Sequence, residues 1–498
     1  MNGNAGTVIL LGAGPGDPGL MTLRGKEALD LADVVVYDRL VSQEILEMIP
    51  ERAVTIYAGK GSGNHSIPQE EINALLLRYV REGKCVVRLK GGDPYVFGRG
   101  AEELSAIIAE NIPVEVIPGL SSALAVPAYA GIPVSHRDFA SSVHIITAHR
   151  KNGLPPAIDY ASLVTTGGTL VFLMGLGTLD TITQGLLKAG MNGAMPAALV
   201  ENGTRPDQRK LMSTVAAIAA QAQSQNFHPP ATLIVGSVCT LSDKLDWFSR
   251  LPLTGVTVIV TGKKTETSLS QGLRKLGANV LRFACISIEA LPVPDSVFND
   301  IATYNWVVFT SPTGAELFFD NLRERNMDIR SLHNAGFAAV GEKTAAVIAA
   351  RGIRVDFVPQ TYNARCLAET LPPHGGQNVL VFRAEEGSPE VVKTLSAQGF
   401  SVTDIAAYRT IRETSCPQAI TAKIEQGAVN FVAFTSASGV QGFAASLADT
   451  DISGITAICI GKETASVARN HFRAVIISEK VTTESMIEKI RREITVAL

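Results

Sequence analysis

Short apolar runs rich in β-branched residues alternate with helix-like segments along most of the chain, and this alternation limits the possible folds most. The clearest runs are residues 8–11, 34–37, 85–89, 114–117, 170–173 and 197–200. This rhythm predicts α/β layers that are built on largely parallel sheets. A chain of 498 residues is too long for a single hydrophobic core, so we expect several domains.

The composition of the chain changes near residue 250, which predicts the main domain boundary. The segment DWFSRLPLTG at 246–255 combines aromatic residues with a proline and a glycine, and a new strand-like run follows. Beyond it the chain repeats itself. FTSPTGAELFF from Phe309 resembles FTSASGVQGFA from Phe434, and GEKTA from Gly341 resembles GKETA from Gly461. The repeat predicts two related α/β lobes.

Composition excludes several classes of function. A net charge of −3 gives no basic surface for nucleic acid, and the uncharged segment 116–134 carries three prolines, so we expect it to be buried between lobes and not in a membrane. The six cysteines contain no CxxC pair and the eight histidines show no metal spacing, so we predict no metal. No secretory signal is visible, and we expect a cytoplasmic protein.

The segment GAGPGDPG at 12–19 follows an apolar run, where a dinucleotide-binding loop would lie. Asp17 occupies the place of the third glycine, and its carboxylate would repel a diphosphate. Pro15 and Pro18 also remove two backbone donors that such a loop would use. A nicotinamide oxidoreductase is therefore the weaker hypothesis, and the loop favours a neutral or cationic ligand.

Further glycine- or acid-bearing motifs follow other predicted strands, where open α/β sheets bind ligands. They are VVVYDRLVS, GKGSGNHSIPQEEIN, VVRLKGGDPYVFGRG, AYAGIPVSHRD, MGL and ALVENGT. In this order they resemble the tetrapyrrole methylases that use S-adenosylmethionine, and most closely the uroporphyrinogen-III C-methyltransferases. The resemblance spans residues 6–248 and implies a two-lobed methylase with lobes at about 1–118 and 119–248.

The resemblance implies a methyl-donor site and two catalytic residues. The donor-site residues would be Pro15, Gly91, Gly92, Asp93, Val96, Ser121, Ser122, Met174 and Gly203. Glycines let the backbone approach a ligand closely, and Asp17 and Asp93 would place negative charge near a sulfonium, although either could cap a turn. Asp38 would accept a proton and Lys60 would donate one. Alternatively, Asp38 caps a helix and Lys60 is exposed or binds a substrate carboxylate.

A polycarboxylate substrate requires local cations in a chain with this net charge. We expect Arg39 and Arg99 to bind substrate, and the motifs also hold Arg24, Lys90 and Arg137 as candidate clamps. The methylase would act on a small tetrapyrrole and pair as a homodimer, as the resemblance implies.

After a linker at 249–254, residues 255–498 resemble uroporphyrinogen-III synthases. The resemblance rests on the FTS elements, on GEKTA and GKETA, and on AAYRT from Ala406. It implies a two-lobed, flavodoxin-like α/β fold with one lobe at 255–290 plus 411–498 and an inserted lobe at 291–410. It also implies that a linear hydroxymethylbilane is closed with loss of water and inversion of one pyrrole ring.

The resemblance aligns Tyr408 with a family tyrosine that could hydrogen-bond the departing hydroxyl, although a structural tyrosine at a strand end is the alternative. The candidate substrate-binding residues are Thr310, Ser311, Thr344, Arg383, Thr435, Ser436 and Thr464. Ser311 and Ser436 also suit plain helix caps. Together the halves predict a bifunctional enzyme that makes precorrin-2 by methylating uroporphyrinogen III at C-2 and C-7, toward sirohaem or cobalamin. The alternative is a methyltransferase with a non-catalytic tetrapyrrole-binding module.

Overall fold

The computed structural model describes residues 6–59, 68–148, 158–262, 267–361, 363–412, 416–448 and 450–497. Their strands form four five-stranded sheets, two before residue 250 and two after it. The chain divides into two compact units. One comprises Met1–Phe283, Ala419–Ala437 and Thr450–Leu498, and the other comprises Ala284–Gln418 and Ser438–Asp449. The α/β class predicted from the alternation of apolar runs and helix-like segments is confirmed.

The first sheet is entirely parallel, in the order β3-β2-β4-β1-β5. Its strands are β1 Thr7–Gly12, β2 Val34–Tyr37, β3 Val54–Tyr57, β4 Cys85–Lys90 and β5 Val114–Ile117. The helices are α1 Leu23–Leu31, α2 Gln43–Leu46, α3 Gln69–Arg81, α4 Gly100–Ile108 and α5 Ser122–Tyr129, with a 3₁₀ helix at Pro18–Leu20. Because the strands are parallel, the loops that follow them meet at one edge of the sheet.

Both faces of this sheet are buried, which explains its nearly continuous apolar runs. Val34, Val36 and Val86 lie on the face that packs against α3 and α4. Val35 and Val87 lie on the opposite face, which packs against α1. Each strand therefore contributes alternate residues to two cores.

The second sheet is mixed, in the order β6-β7-β10-β8-β9. Its strands are β6 Val143–Thr147, β7 Thr169–Leu173, β8 Pro196–Glu201, β9 Arg209–Thr214 and β10 Ala231–Val235, and its helices are α6 Tyr160–Thr166, α7 Leu179–Lys188, α8 Ile218–Ser224 and α9 Ser242–Leu245. Short 3₁₀ helices lie at Leu176–Thr178 and Ser237–Leu241. Only β6 and β7 pair in parallel, and the other pairings are antiparallel. The prediction of largely parallel sheets is wrong here, because apolar runs do not encode strand direction.

The remaining strands are β11 Thr257–Thr261, β12 Asn279–Phe283, β13 Ile286–Ala290, β14 Trp306–Phe309, β15 Gly336–Ala339, β16 Asn378–Ala384, β17 Ser401–Arg412, β18 Phe431–Phe434, β19 Thr456–Cys459 and β20 Ala474–Ile477. The helices are α10 Ser268–Lys275, α11 Asp295–Asn299, α12 Pro312–Glu324, α13 Glu342–Ala349, α14 Ala364–Thr370, α15 Glu390–Ala397, α16 Gln418–Glu425, α17 Ala437–Ser446, α18 Lys462–Ala468 and α19 Thr483–Ala497. Two 3₁₀ helices lie at Ile301–Thr303 and Ile329–Leu332.

The third sheet has the order β12-β11-β18-β19-β20 and is wholly parallel, which is the flavodoxin order when its strands are counted along the chain. The fourth sheet has the order β13-β17-β16-β14-β15, in which β13 is an antiparallel edge strand on β17. The segment 286–290, which the sequence assigned to the first of the two lobes, therefore pairs within the sheet of the inserted lobe. An added antiparallel edge strand has no separate signal in the sequence. The predicted boundary between the two lobes, after residue 290, therefore lies too late in the chain.

Candidate functional site

The loops that follow β1 and β4 are joined by backbone hydrogen bonds. The N–H of Gly14 donates to the carbonyl of Gly92 at 3.1 Å, and the N–H of Gly92 donates back at 2.7 Å. The N–H of Ala13 also donates to the carbonyl of Lys90 at 2.7 Å. The two glycine-bearing motifs that the sequence singled out therefore form one structure.

Three glycines permit this close packing of backbone on backbone. A Cβ on Gly119 would lie 2.2 Å from the carbonyl oxygen of Gly92, and one on Gly12 would lie 2.3 Å from the nitrogen of Gly119. Gly92 differs, because its φ is +70° and a Cβ there would meet nothing nearer than the nitrogen of Ser122 at 3.9 Å. Open space therefore faces Gly92, as a ligand approaching the backbone requires. The sequence interpretation assigned no role to Gly119 or to Gly12, which is the first residue of the GAGPGDPG motif.

Asp17 is occupied by contacts within the protein. Its Oδ1 accepts from the N–H of Gly19 at 2.7 Å and caps the 3₁₀ helix, while its Oδ2 accepts from Tyr129 Oη at 2.7 Å. Burial, assisted by Asp17, raises the pKa of Tyr129, so this phenol remains a donor. The geometry favours the capping alternative for Asp17, whose charge still lies within the donor loop.

Asp93 also orders the loops with its carboxylate. Oδ1 accepts from the N–H groups of Tyr95 at 2.8 Å and Val96 at 3.2 Å, and Oδ2 accepts from Gly119 N–H at 3.2 Å. Asp93 thus connects the loop after β4 to the loop after β5, which again favours the capping alternative.

The other predicted donor-site residues lie at loop and helix starts. Ser121 caps α5, whose first residue is Ser122, and its Oγ accepts from Ala123 N–H at 3.3 Å. Gly203 lies so close to α5 that a Cβ would be 2.4 Å from Val126 Cγ1. Pro15 directly follows Gly14, and Gly91 packs closely against Leu40. Val96 packs on an apolar core, and Met174 is half-exposed with a φ of +57°. Of this set, Ser122 lies near Gly92, since a Cβ on Gly92 would be 3.9 Å from the nitrogen of Ser122.

Asp38 lies directly after β2 and is partly buried. Its Oδ1 accepts from the N–H of Leu40 at 3.0 Å, a local contact that leaves the second oxygen available for other partners. Lys60, the predicted proton donor, lies outside the described residues.

The candidate cationic clamps have different environments. Arg99 pairs with Glu102 at 2.6 Å and Arg24 pairs with Glu115 at 2.6 Å, both at the surface. Lys90 is buried against Glu103, so it is not a surface clamp, and the sequence interpretation missed Glu103 altogether. Arg39 and Arg137 are exposed.

In the inserted lobe of the second half, Ser311 and Tyr408 meet. Ser311 caps α12 by accepting from Gly314 N–H at 3.0 Å, and its Oγ lies 2.8 Å from Tyr408 Oη. Burial raises the pKa of Tyr408, while the hydrogen bond with Ser311 acts in the opposite direction. Thr310 is partly exposed beside them. The candidate catalytic phenol and a candidate substrate-binding hydroxyl thus form one polar pair.

The other candidate substrate-binding residues fit less uniformly. Arg383 gives two hydrogen bonds of 2.7 Å to Asp404 and further bonds to the carbonyls of Ala384, Glu385 and Gly387, so its guanidinium holds a loop. Thr344 and Thr464 are buried, at 2 % and 5 % exposure, which favours packing over ligand contact. Thr435 is exposed and Ser436 is partly buried at the start of α17.

The described residues contain neither a metal-binding cluster nor a membrane-spanning helix. No group of three or more His, Cys, Asp or Glu side chains in these ranges could hold a metal ion. Within the same part of the chain, no helix has the length and apolar character needed to cross a membrane.

Comparison with known proteins divides the chain as the motifs do. Residues 7–219 match the tetrapyrrole (corrin/porphyrin) methylases, and residues 240–488 match the uroporphyrinogen-III synthase HemD family. The porphyrin biosynthesis protein HemD of Ruminiclostridium josui is 43 % identical over 491 residues, 97 % of each chain. A sirohaem synthase of Escherichia fergusonii is 50 % identical over 245 residues, 49 % of this chain and 53 % of that protein.

Among solved structures, a uroporphyrin-III C-methyltransferase of Thermus thermophilus complexed with S-adenosylhomocysteine is 38 % identical. It covers 47 % of this chain and 99 % of its own, with a TM-score of 0.41. The family matches confirm the resemblance that the motifs indicated for both halves. The chain therefore belongs to the tetrapyrrole methylases through its first half and to the uroporphyrinogen-III synthases through its second.

Proposed function

We propose that this chain closes hydroxymethylbilane to uroporphyrinogen III and methylates that product at C-2 and C-7 to give precorrin-2. The observation that carries the proposal is the presence, in one chain, of both families, together with a full-length relative that covers both regions. The product of the second half is the substrate of the first. The match of the second half to a synthase family favours catalysis over the non-catalytic binding module.

The first half fits a cationic methyl donor better than a diphosphate. The backbone of Gly92 faces open space that a ligand could enter, and Asp17 and Asp93 place carboxylates within the same loops. Pro15 and Pro18 lack N–H groups, so the loop cannot present a full set of donors to phosphate oxygens. S-adenosylmethionine, when bound, would supply an electrophilic methyl group on a sulfonium. Gly91, Gly92, Ser121, Ser122, Met174 and Gly203 would hold it.

In this proposal the residues of the first half align the substrate and move a proton. Alignment of the electron-rich pyrrole carbon with the methyl group would supply much of the rate. Asp38, partly buried after β2, would take the proton that the cationic ring loses after methylation. Lys60 would donate a proton, and Arg39 and Arg99 would contact substrate carboxylates.

In the second half, Tyr408 would hydrogen-bond the hydroxyl that leaves the bilane. Its hydrogen bond with Ser311 orients the phenol, and the raised pKa of Tyr408 keeps it protonated at neutral pH. Thr310, directly before Ser311, would bind the substrate near the start of α12. Thr435 and Ser436 stay predicted substrate-binding residues at the start of α17. Confinement of the flexible bilane in a folded pose would provide the main rate acceleration.

We propose further that the methylase half pairs with a second copy and that the enzyme works in the cytoplasm. Exposed Leu23 and Leu31 at the two ends of α1, at 86 % and 69 % exposure, support an apolar contact with another chain. The structure joins none of the six cysteines in a disulfide bond, which suits a reducing compartment. Light scattering of the purified chain tests the dimer, and a monomer at micromolar concentration would contradict it.

Two separate assays test the proposal. Calorimetry with S-adenosylhomocysteine and with NAD asks which ligand the first half takes, and we expect binding of the former only. Incubation of the full chain with hydroxymethylbilane, without methyl donor, asks whether the second half is active, and we expect isomer III of uroporphyrinogen. The spontaneous isomer I alone would favour the non-catalytic module, and binding of NAD alone would contradict the methylase.

A further inference from the structure

Two cations interrupt an otherwise apolar strand beneath the donor site. Arg88 and Lys90 alternate along β4 with Val87 and Leu89, so their side chains share the face of Val86, which packs against α3 and α4. Arg88 is 3 % exposed and Lys90 is 6 % exposed. Charged side chains are rarely buried this far unless they are paired.

Their shared partner is Glu103 on α4, which is 1 % exposed. Its Oε1 accepts from Arg88 Nε at 3.2 Å, from Lys90 Nζ at 3.1 Å and from Gln69 Nε2 at 3.0 Å. Its Oε2 is buried without a hydrogen-bond partner in the described ranges. This cluster of Arg88, Lys90, Glu103 and Gln69 therefore holds two positive charges against one negative charge.

Asp38 lies where a second negative charge would balance the cluster. Strands β2 and β4 pair in parallel with Val34 opposite Val86 and Tyr37 opposite Leu89. One residue further on, this register brings Asp38 beside Lys90, and both extend the face of Val34 and Val86. Neighbouring strands lie about 4.8 Å apart, so the two charges are close in a poorly hydrated place.

The electrostatics of Lys90 agree with this placement. Burial, followed by repulsion from Arg88, lowers the pKa of Lys90, whereas Glu103 and Asp38 both act to raise it. The two carboxylates thus stabilise the charged form of Lys90. Lys90 on β4 interacts through its charge with Asp38, while Arg88 on β4 and Glu103 on α4 flank Lys90.

We infer that Lys90, fixed by Glu103, is a positioning residue whose positive charge holds the Asp38 carboxylate in place to accept the substrate proton. The inference rests on the proposed function, in which Asp38 is the proton acceptor. In that step the pyrrole carbon that receives the methyl group already carries a side chain and no hydrogen, so methylation leaves a positive charge on the ring. A bond to hydrogen at the ring nitrogen or at the neighbouring bridge carbon then breaks, its proton passes to the carboxylate, and its electron pair neutralises the ring.

The test is the pH profile of kcat/KM for methyl transfer by the full chain, with uroporphyrinogen III and S-adenosylmethionine. Lys90→Met removes the positive charge, so we expect its acid limb to move to higher pH by about 1 unit. Lys90→Arg keeps the charge and should leave the limb near its original position. Glu103→Gln removes the carboxylate that fixes Lys90 and supports its charge, so the limb should move in the same direction, to higher pH.

The contrast between Lys90→Met and Lys90→Arg separates electrostatics from structural damage, which would lower rates without a signed shift. Calorimetry with S-adenosylhomocysteine confirms that each variant is folded. If Lys90→Met does not fold, a shift to higher pH in Glu103→Gln supports the inference and an unmoved limb overturns it. An unmoved acid limb in folded Lys90→Met overturns the inference. Asp38→Asn separates a failure of the proposed function from a failure of this inference. Full turnover in Asp38→Asn contradicts the proposed role of Asp38. Lost turnover in Asp38→Asn, together with an unmoved acid limb in Lys90→Met, contradicts only the inference about Lys90.

Discussion

Tyr408 and Ser311 lie 2.8 Å apart between their side-chain oxygens, although 97 residues separate them in the chain. If this phenol hydrogen-bonds the leaving hydroxyl, Tyr408→Phe should slow ring closure by about 3- to 10-fold, the equivalent of one neutral hydrogen bond. Initial rates of uroporphyrinogen III formation from bilane measure this. An unchanged rate would return Tyr408 to a structural role.

The matched control is Ser311→Ala, which removes the same hydrogen bond and the cap of α12. We expect it to lower the free energy of unfolding by about 1 kcal/mol, which denaturant titration measures.

The ionisation of Tyr408 predicts how the rate depends on pH. Because burial raises the pKa of Tyr408, the phenol stays protonated below about pH 10. The stability that the neutral phenol contributes is lost only as the pH rises further. The rate ratio of wild type to Tyr408→Phe should therefore be constant from pH 7 to 9, as kinetic assays at each pH can check.

Asp38→Asn should retain donor binding and lose turnover. The amide keeps the shape of the side chain but cannot accept the substrate proton, so we expect methyl transfer to fall by about 10²- to 10⁴-fold. Calorimetry with S-adenosylhomocysteine and single-turnover methyl transfer measure the two effects separately. Undiminished turnover would remove Asp38 from the mechanism.

The packing of the donor loops predicts unequal effects of two Gly→Ala changes. Gly119→Ala places a methyl group 2.2 Å from the Gly92 carbonyl oxygen, and we expect a loss of about 3 kcal/mol or more in the free energy of unfolding. Gly92→Ala meets open space and carries only the strain of its positive φ, about 1–2 kcal/mol. Chemical denaturation measures both, and equal losses would contradict the packing.

Gly92→Ala should nevertheless weaken binding of S-adenosylhomocysteine, because its methyl group occupies the space that faces the ligand. A variant that binds this compound as tightly as wild type would show that the ligand does not approach Gly92.

Arg383 and Asp404 predict a structural phenotype. Two hydrogen bonds of 2.7 Å join them, and Arg383 also holds three carbonyl groups of its loop. Arg383→Ala and Asp404→Asn should both lower the free energy of unfolding, by about 1–3 kcal/mol for the lost charged contacts. If Arg383 instead binds a substrate carboxylate, Arg383→Ala alone will raise KM for the bilane while Asp404→Asn leaves it unchanged.

Much of the fold follows from local patterns. The apolar run at 34–37 coincides with β2, because a strand buried on both faces needs continuous apolar residues. The run at 114–117 coincides with the edge strand β5, which is less buried and tolerates Glu115. The antiparallel pairings of the second sheet were not predicted, because strand direction depends on connections that local patterns do not encode.

At the site, motifs identified the loops but not the partners of their side chains. Asp17 and Asp93 were predicted to place negative charge near the ligand, with turn capping as the alternative, and the structure directs both carboxylates to protein donors. Such partners are distant in the chain: Tyr129 lies 112 residues from Asp17. The charges of Arg88 and Lys90 within an apolar strand were the available signal for a buried anion such as Glu103.

The bifunctional account is tested most directly by one incubation of the purified full chain with hydroxymethylbilane and S-adenosylmethionine, analysed by mass spectrometry and isomer separation. The account predicts a type III tetrapyrrole that carries two added methyl groups. A product without added methyl groups, or the spontaneous isomer I alone, would contradict it.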